Sequence, residues 1–146
     1  GVNRRFDIRL KNDPIVYISD YAHHPEEIRQ SILSIRQLYE GKRIRVIFQP
    51  HLYTRTRDFY QEFADSLSLL DDVILVDIYP AREKPIPGVS SELIYNHMRN
   101  DMHKRMCRKE DICTIVREGN FDVLVTLGAG DIENYAEDIT NILKEA

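Results

Sequence analysis

The sequence contains no G-x-x-x-x-G-K-[ST] segment, so the chain lacks the backbone cradle with which an ATPase usually holds its phosphates. No apolar run approaches the roughly 20 residues needed to span a bilayer, and no signal peptide is recognised; a soluble protein is expected. Cysteine is scarce. Cys107 and Cys113 have neither metal-ligand nor C-x-x-C spacing, which reads as two reduced, half-buried thiols in a cytoplasmic protein. A basic surplus is also missing. The net charge of −4, with both signs interspersed, argues against a nucleic-acid partner and leaves the arginines available for small anions. What is present, 146 residues with 42% hydrophobic and 30% charged, suits one soluble domain with one proper core.

Apolar patterning divides the chain into alternating strands and helices. Phe6, Ile8 and Leu10 alternate with charged residues, predicting a half-exposed N-terminal edge strand that ends near Asn12-Asp13-Pro14. Ile15 to Ile18, Ile44 to Phe48, Val73 to Ile78 and Val123 to Leu127 are continuous apolar runs, as strands covered on both faces should be. Pro25 opens a helix with Ile28, Ile32, Ile35 and Tyr39 on one face and Gly41 at its end. Phe59, Phe63, Leu67 and Leu70 predict the apolar face of a second helix, with Thr54 or Thr56 as its cap. Ser90 or Ser91 caps a third helix carrying Leu93, Ile94 and Met98, and Met106-Cys107 begins a short strand. Ile112, Ile115 and Val116 before Gly119 mark a fourth helix, and Ile132, Tyr135, Ile139 and Leu143 a fifth. The expectation is an α/β, Rossmann-like fold: a mostly parallel sheet with helices on both faces and an N-terminal edge strand.

The residues able to do chemistry follow the strands. Asp20-Tyr21-Ala22-His23-His24-Pro25, Pro50 to Asp58, Tyr79 to Pro87 and Gly128-Ala-Gly-Asp131 each lie after an apolar run, hence at the carboxyl edge of the sheet, where open α/β folds bind ligands. Arg55 and Arg57 stand at a helix start, where a cation is unfavourable unless an anion or an acidic neighbour answers it. The segment reads as an anion site; the alternative is two solvated first-turn arginines. Asp20 is either a site residue or the partner of a strand-end amide. His23 and His24 are adjacent and have no third ligand at recognisable spacing, so no metal is assigned. Gly128-Ala-Gly130 has Glu133 where a dinucleotide fingerprint needs its third glycine, and a tight turn explains it as well as bound NAD or FAD. Pro80, Pro85 and Pro87 stiffen a loop bearing Arg82, Glu83 and Lys84, either a lid or a constrained connection. His97 and His103 read as surface residues.

In order along the chain, Asp20-Tyr-Ala-His-His-Pro25, Phe48-Gln-Pro-His51, Tyr53-Thr-Arg-Thr-Arg-Asp58, Ile78-Tyr-Pro-Ala-Arg-Glu83 and Gly128-Ala-Gly-Asp-Ile132 resemble the carboxy-terminal domain of a Mur ligase. The resemblance extends from Arg4 to the last helix. It implies that residues 1–146 are the amino-acid-binding domain that closes over ATP, excised from a bacterial peptidoglycan-synthesis ligase. The family's UDP-sugar domain and its central ATPase domain, which mainly holds ATP and Mg2+, are then absent from this chain. The motifs are most similar to those of members that join L-alanine to UDP-N-acetylmuramate through an acyl phosphate. The implied partners are the remainder of the same ligase chain, L-alanine and UDP-N-acetylmuramate, with no nucleic acid or membrane. By the same resemblance Arg5 would reach ATP phosphate and Asp20 would lie near the ribose. Tyr21, His23, His51 and Arg55 would form the amino-acid site, with Arg55 on the alanine carboxylate. Leu52 departs from the family, which often has arginine there, and this shifts the load to Arg55. The alternatives are a recycling ligase that attaches a tripeptide to UDP-N-acetylmuramate, and a non-catalytic anion-binding module.

Overall fold

A computed structural model describes residues 6–12 and 15–145. The strands are β1 (Asp7–Asn12), β2 (Ile15–Asp20), β3 (Ile44–Phe48), β4 (Asp72–Val76), β5 (His103–Cys107) and β6 (Val123–Leu127). The helices are α1 (Pro25–Leu38), α2 (Tyr53–Leu67), α3 (Ser91–His97), α4 (Ile112–Arg117) and α5 (Ala136–Lys144). They build one six-stranded sheet in the order β1-β2-β6-β3-β4-β5, parallel except for β1, which pairs antiparallel with β2 and is irregular between Ile8 and Leu10. The edge-strand expectation and the mostly parallel sheet are both observed.

Each apolar run feeds two cores because successive side chains point to opposite faces. Val46 and Phe48 of β3 join Ile28, Ile32 and Ile35 of α1, Phe63 and Leu67 of α2, and Ile94 of α3 on one face. Ile47 joins Ile112 and Val116 of α4 and Ile139 and Leu143 of α5 on the other. Tyr17, fully buried in this second core, shares a 2.8 Å hydrogen bond with Thr126 of β6, and burial raises its phenol to about 12. From β2 to β5 the chain steps along the sheet in one direction, with α1, α2 and α3 on one face; the return to β6 puts α4 on the other. Right-handed crossovers demand this change of face.

Four expectations need correction. Phe59 is 41% exposed and sits at a kink (φ −128°, ψ 16°) inside α2, so Tyr60 packs on the core in its place. Leu70 is buried but lies beyond the end of α2. Met106-Cys107 ends β5 rather than beginning it, because pairing with β4 runs from Asp72↔His103 to Val76↔Cys107; at a sheet edge, main-chain pairing outweighs apolar patterning. Ile132 and Tyr135 belong to a 3-10 segment, Asp131–Tyr135, ahead of α5. Ser90 is the cap of α3, accepting from Glu92 N at 3.2 Å, while Ser91 donates to the Val76 carbonyl. His97 and His103 are exposed, as expected. No helix of the described residues is long and apolar enough to cross a membrane.

Phe63 is fully buried with its ring 5.5 Å from that of Phe48, joining α2 to the sheet centre. Phe63→Ala is expected to lower the unfolding free energy by about 3–5 kcal/mol, the usual cost of a phenyl-sized cavity, as read from denaturant midpoints at constant m-value.

Candidate functional site

Strands β2 and β3 flank β6, and their carboxyl ends lead to the face opposite the one reached from β6. Open α/β sheets bind ligands at such a change of face, outside the carboxyl ends of the strands. Gln49 continues β3, its N–H bonded to the Leu127 carbonyl at 3.0 Å. Beyond it, Tyr79 N donates to the Pro50 carbonyl at 2.9 Å and Leu52 N to the Tyr79 carbonyl at 2.8 Å, so His51 is fixed by a bridge between the loops after β3 and β4. Leu52 then turns the chain into α2 at φ +74°, a strained conformation for a side chain of its size, held by those bonds.

The start of α2 corrects one expectation and divides another. Neither threonine is the cap: the N-cap position is Leu52, and Thr56 turns its hydroxyl back to the Leu52 carbonyl at 2.9 Å. The acidic answer comes from Glu83, whose carboxylate accepts from Thr54 N at 3.0 Å and from the Thr54 hydroxyl, contacts that hold its pKa below the ordinary value. The helix terminus is thus filled by a residue of the proline-rich loop, which here is a constrained connection. Arg57 is the solvated arginine, exposed and paired with Asp58 at 2.9 Å. Arg55 is half-buried, and its Nη1 is a buried donor without a hydrogen-bond partner.

Four rings cross the edge beside it. Tyr21 meets His23 edge-on at 5.6 Å, His23 lies 5.7 Å from His51, and His51 lies 5.4 Å from Tyr79. His23 Nδ1 is 3.0 Å from the Tyr21 carbonyl, an oxygen that can only accept, so Nδ1 carries a hydrogen and donates it. Glu27 accepts from the backbone N–H groups of His23 and His24, each at 3.2 Å, completing the first turn of α1. His51 Nδ1 is buried and unpartnered, like Arg55 Nη1. Burial first, then the charge of Arg55 and then His23, hold His51 below its ordinary value of 6.5; the same causes lower His24. The permanent cation of Arg55 can take a carboxylate on one side, while the His51 ring, held toward its neutral form, can accept a hydrogen bond from an amine on the other.

The structure thus gathers Tyr21, His23, His51 and Arg55 at one place. Asp20 is 1% exposed, accepting from Ala22 N at 2.9 Å and from the Ser31 hydroxyl, which gives it at least the local strand-end role. Arg5 lies outside the described residues. Gly128-Ala-Gly130 forms no phosphate cradle: a Cβ on Gly130 would lie 2.5 Å from Tyr79 Cβ, and Gln49 Oε1 already accepts from Ile132 N at 2.9 Å. Gln49 Nε2 and Lys109 Nζ donate to Asp131 at 2.7 and 2.6 Å, tying three loops together. Among the described residues no group of three or more His, Cys, Asp or Glu could hold a metal ion. Sequence reasoning did not single out Tyr79, Gln49 or Glu83 as site residues. Each sits in a quoted motif, but the contacts that tie their loops together span 27 to 83 positions and have no local signature.

A family model described as Mur ligase, glutamate ligase domain, matches residues 4–139. The chain belongs to this family. As a Mur ligase carboxy-terminal domain it is 63% identical over 145 residues to the UDP-N-acetylmuramate–L-alanine ligase of Phocaeicola vulgatus, covering 99% of this chain and 32% of that protein. The Mur ligase domain thus spans about a third of the length of such relatives. Its fold matches the UDP-N-acetylmuramate-alanine ligase of Thermotoga maritima with a TM-score of 0.77 at 24% identity, over 97% of this chain and 30% of that one. A murein peptide ligase from Psychrobacter arcticus gives 0.76 at 18% identity, over 98% and 30%.

The lowered His51 pKa has a definite sign. The unfolded imidazole titrates near 6.5 and the folded one lower, so the stability tied to neutral His51 is present above 6.5 and lost as pH falls through the folded value. NMR titration of the His51 ring should give a midpoint below 6.5, and Arg55→Ala should move it upward. A midpoint at or above 6.5 would mean that burial and Arg55 do not govern this ring.

Proposed function

We propose that this domain supplies the amino-acid site of a cytoplasmic, ATP-dependent ligase that joins L-alanine to UDP-N-acetylmuramate in peptidoglycan synthesis. The observation that carries the reading is the buried, unpartnered Arg55 Nη1, whose charge acts on His51 in the row of the Tyr21, His23, His51 and Tyr79 rings. The 63% identity to an enzyme of that name favours alanine over the tripeptide of a recycling ligase, which the near-equal TM-scores of 0.77 and 0.76 do not separate. Domains outside this chain hold the UDP-sugar, ATP and Mg2+; this domain closes over the ATPase domain, bringing Arg5 and Asp20 toward the nucleotide.

In the reaction, the γ-phosphoryl group of ATP passes to the muramoyl carboxylate, giving ADP and an acyl phosphate. The alanine nitrogen attacks the acyl carbon, the amine loses a proton, and phosphate leaves as the amide forms. Arg55 holds the alanine carboxylate by its planar fork, and neutral His51 offers a lone pair on the amine side, with the His23 ring beside it. Fixing the nucleophile relative to the acyl carbon is the domain's catalytic contribution.

In the full-length ligase, Arg55→Ala should lower kcat/KM for alanine more than tenfold, since breaking a desolvated charge pair costs about 2–5 kcal/mol. Arg55→Lys should restore only part, and KM for ATP and UDP-N-acetylmuramate should hardly change. If the damage falls mainly on ATP, the carboxylate partner is not Arg55. The 146-residue chain alone should neither hydrolyse ATP nor ligate alanine; turnover by the purified domain would falsify the division of labour. Binding of alanine or another small anion by the isolated domain, without any ligase activity in the full-length protein, would favour the non-catalytic module.

A further inference from the structure

The first turn of α2 has no cap of its own, because Leu52 offers no side-chain acceptor and sits at φ +74°. Glu83 supplies the missing acceptor from 29 residues away, and both of its oxygens are used on Thr54, the residue next to Arg55. The loop that delivers it is stiff: Glu83 N donates to the Pro80 carbonyl at 2.9 Å, and Ala81 takes φ +51° between them. The same loop begins with Tyr79, whose backbone fixes His51 and whose ring faces it at 5.4 Å. One carboxylate therefore fastens the wall of the site to the helix that carries its cation.

We propose that Glu83 is a positioning residue for the amino-acid substrate: it locks the loop after β4 onto α2 and occupies the helix terminus, so that an incoming carboxylate has only Arg55 to bind. This rests on the amino-acid site proposed above. A helix N-terminus attracts carboxylates, so an empty one beside Arg55 would compete for the substrate. Seated one residue early in α2, the amino acid would carry its amine out of line with the acyl carbon. Glu83 removes that competing seat by filling it.

The test uses the full-length ligase. Wild-type turnover with alanine, measured first, examines the ligase reading by itself, and the variants are then compared on whichever amino acid the wild-type enzyme accepts. Glu83→Ala should lower kcat/KM for the amino acid about tenfold or more, a displacement of ångström size being enough, with KM for ATP and the UDP-sugar unchanged. Glu83→Gln, which keeps an acceptor for Thr54 N, should lose less. Added acetate should partly restore Glu83→Ala by reoccupying the terminus, and should not stimulate the wild type. Amino-acid kinetics unaffected by Glu83→Ala overturn the proposal. So does a loss spread equally over all three substrates, with no recovery in acetate or in Glu83→Gln, because a purely structural role would give that pattern.

Discussion

Everything at the carboxyl edge depends on where the last strand enters the sheet. A crossover of fixed hand decides which face a helix covers, so a chain that runs from β2 to β5 and then returns must change face on the way back. By slipping β6 between β2 and β3, the fold sends the connections after neighbouring strands to opposite faces of the sheet. The histidine loops, the arginine helix and the glycine turn meet at the carboxyl edge. They come from segments more than a hundred residues apart, from Asp20 to Asp131.

Two polar clamps then set the fine geometry. Gln49 uses its amide in both directions, accepting from Ile132 N and donating to Asp131, while Lys109 neutralises the other oxygen of that carboxylate. Glu83 does the corresponding work for α2. In both cases a helix start that could have received a ligand is closed from within the protein. Among the described residues, the buried side-chain polar atoms left without a partner are Arg55 Nη1 and His51 Nδ1, a costly arrangement of the kind kept for a ligand.

Much of this was legible in the sequence because burial leaves a periodic trace. Runs such as Val123 to Leu127 reveal strands covered on both faces, and Pro25, Gly41 and Ser90 mark helix ends through backbone constraints that act locally. That the loops carrying Tyr21, His23, His51 and Arg55 would meet was legible too, because strand ends in an open α/β sheet share one edge; the choice of these four within the loops came from the family resemblance. What stayed hidden was set by distant contacts. Thr54 looks like a cap until Glu83 arrives from another loop, and Phe59 looks like core until the kink in α2 turns it outward. The strand at His103–Cys107 carries hardly any apolar signal because β4 recruits it through the main chain.

The composition of the two outermost strands has a further effect. β1 carries Asp7, Arg9 and Lys11, and β5 carries His103, Lys104 and Arg105, so both open margins of the sheet are lined with charge. Unpaired strand margins invite other chains to extend the sheet, and lysine or arginine there makes such growth unfavourable. A domain with its proposed working surface on the strand-end rim is thereby protected from polymerising through its sides.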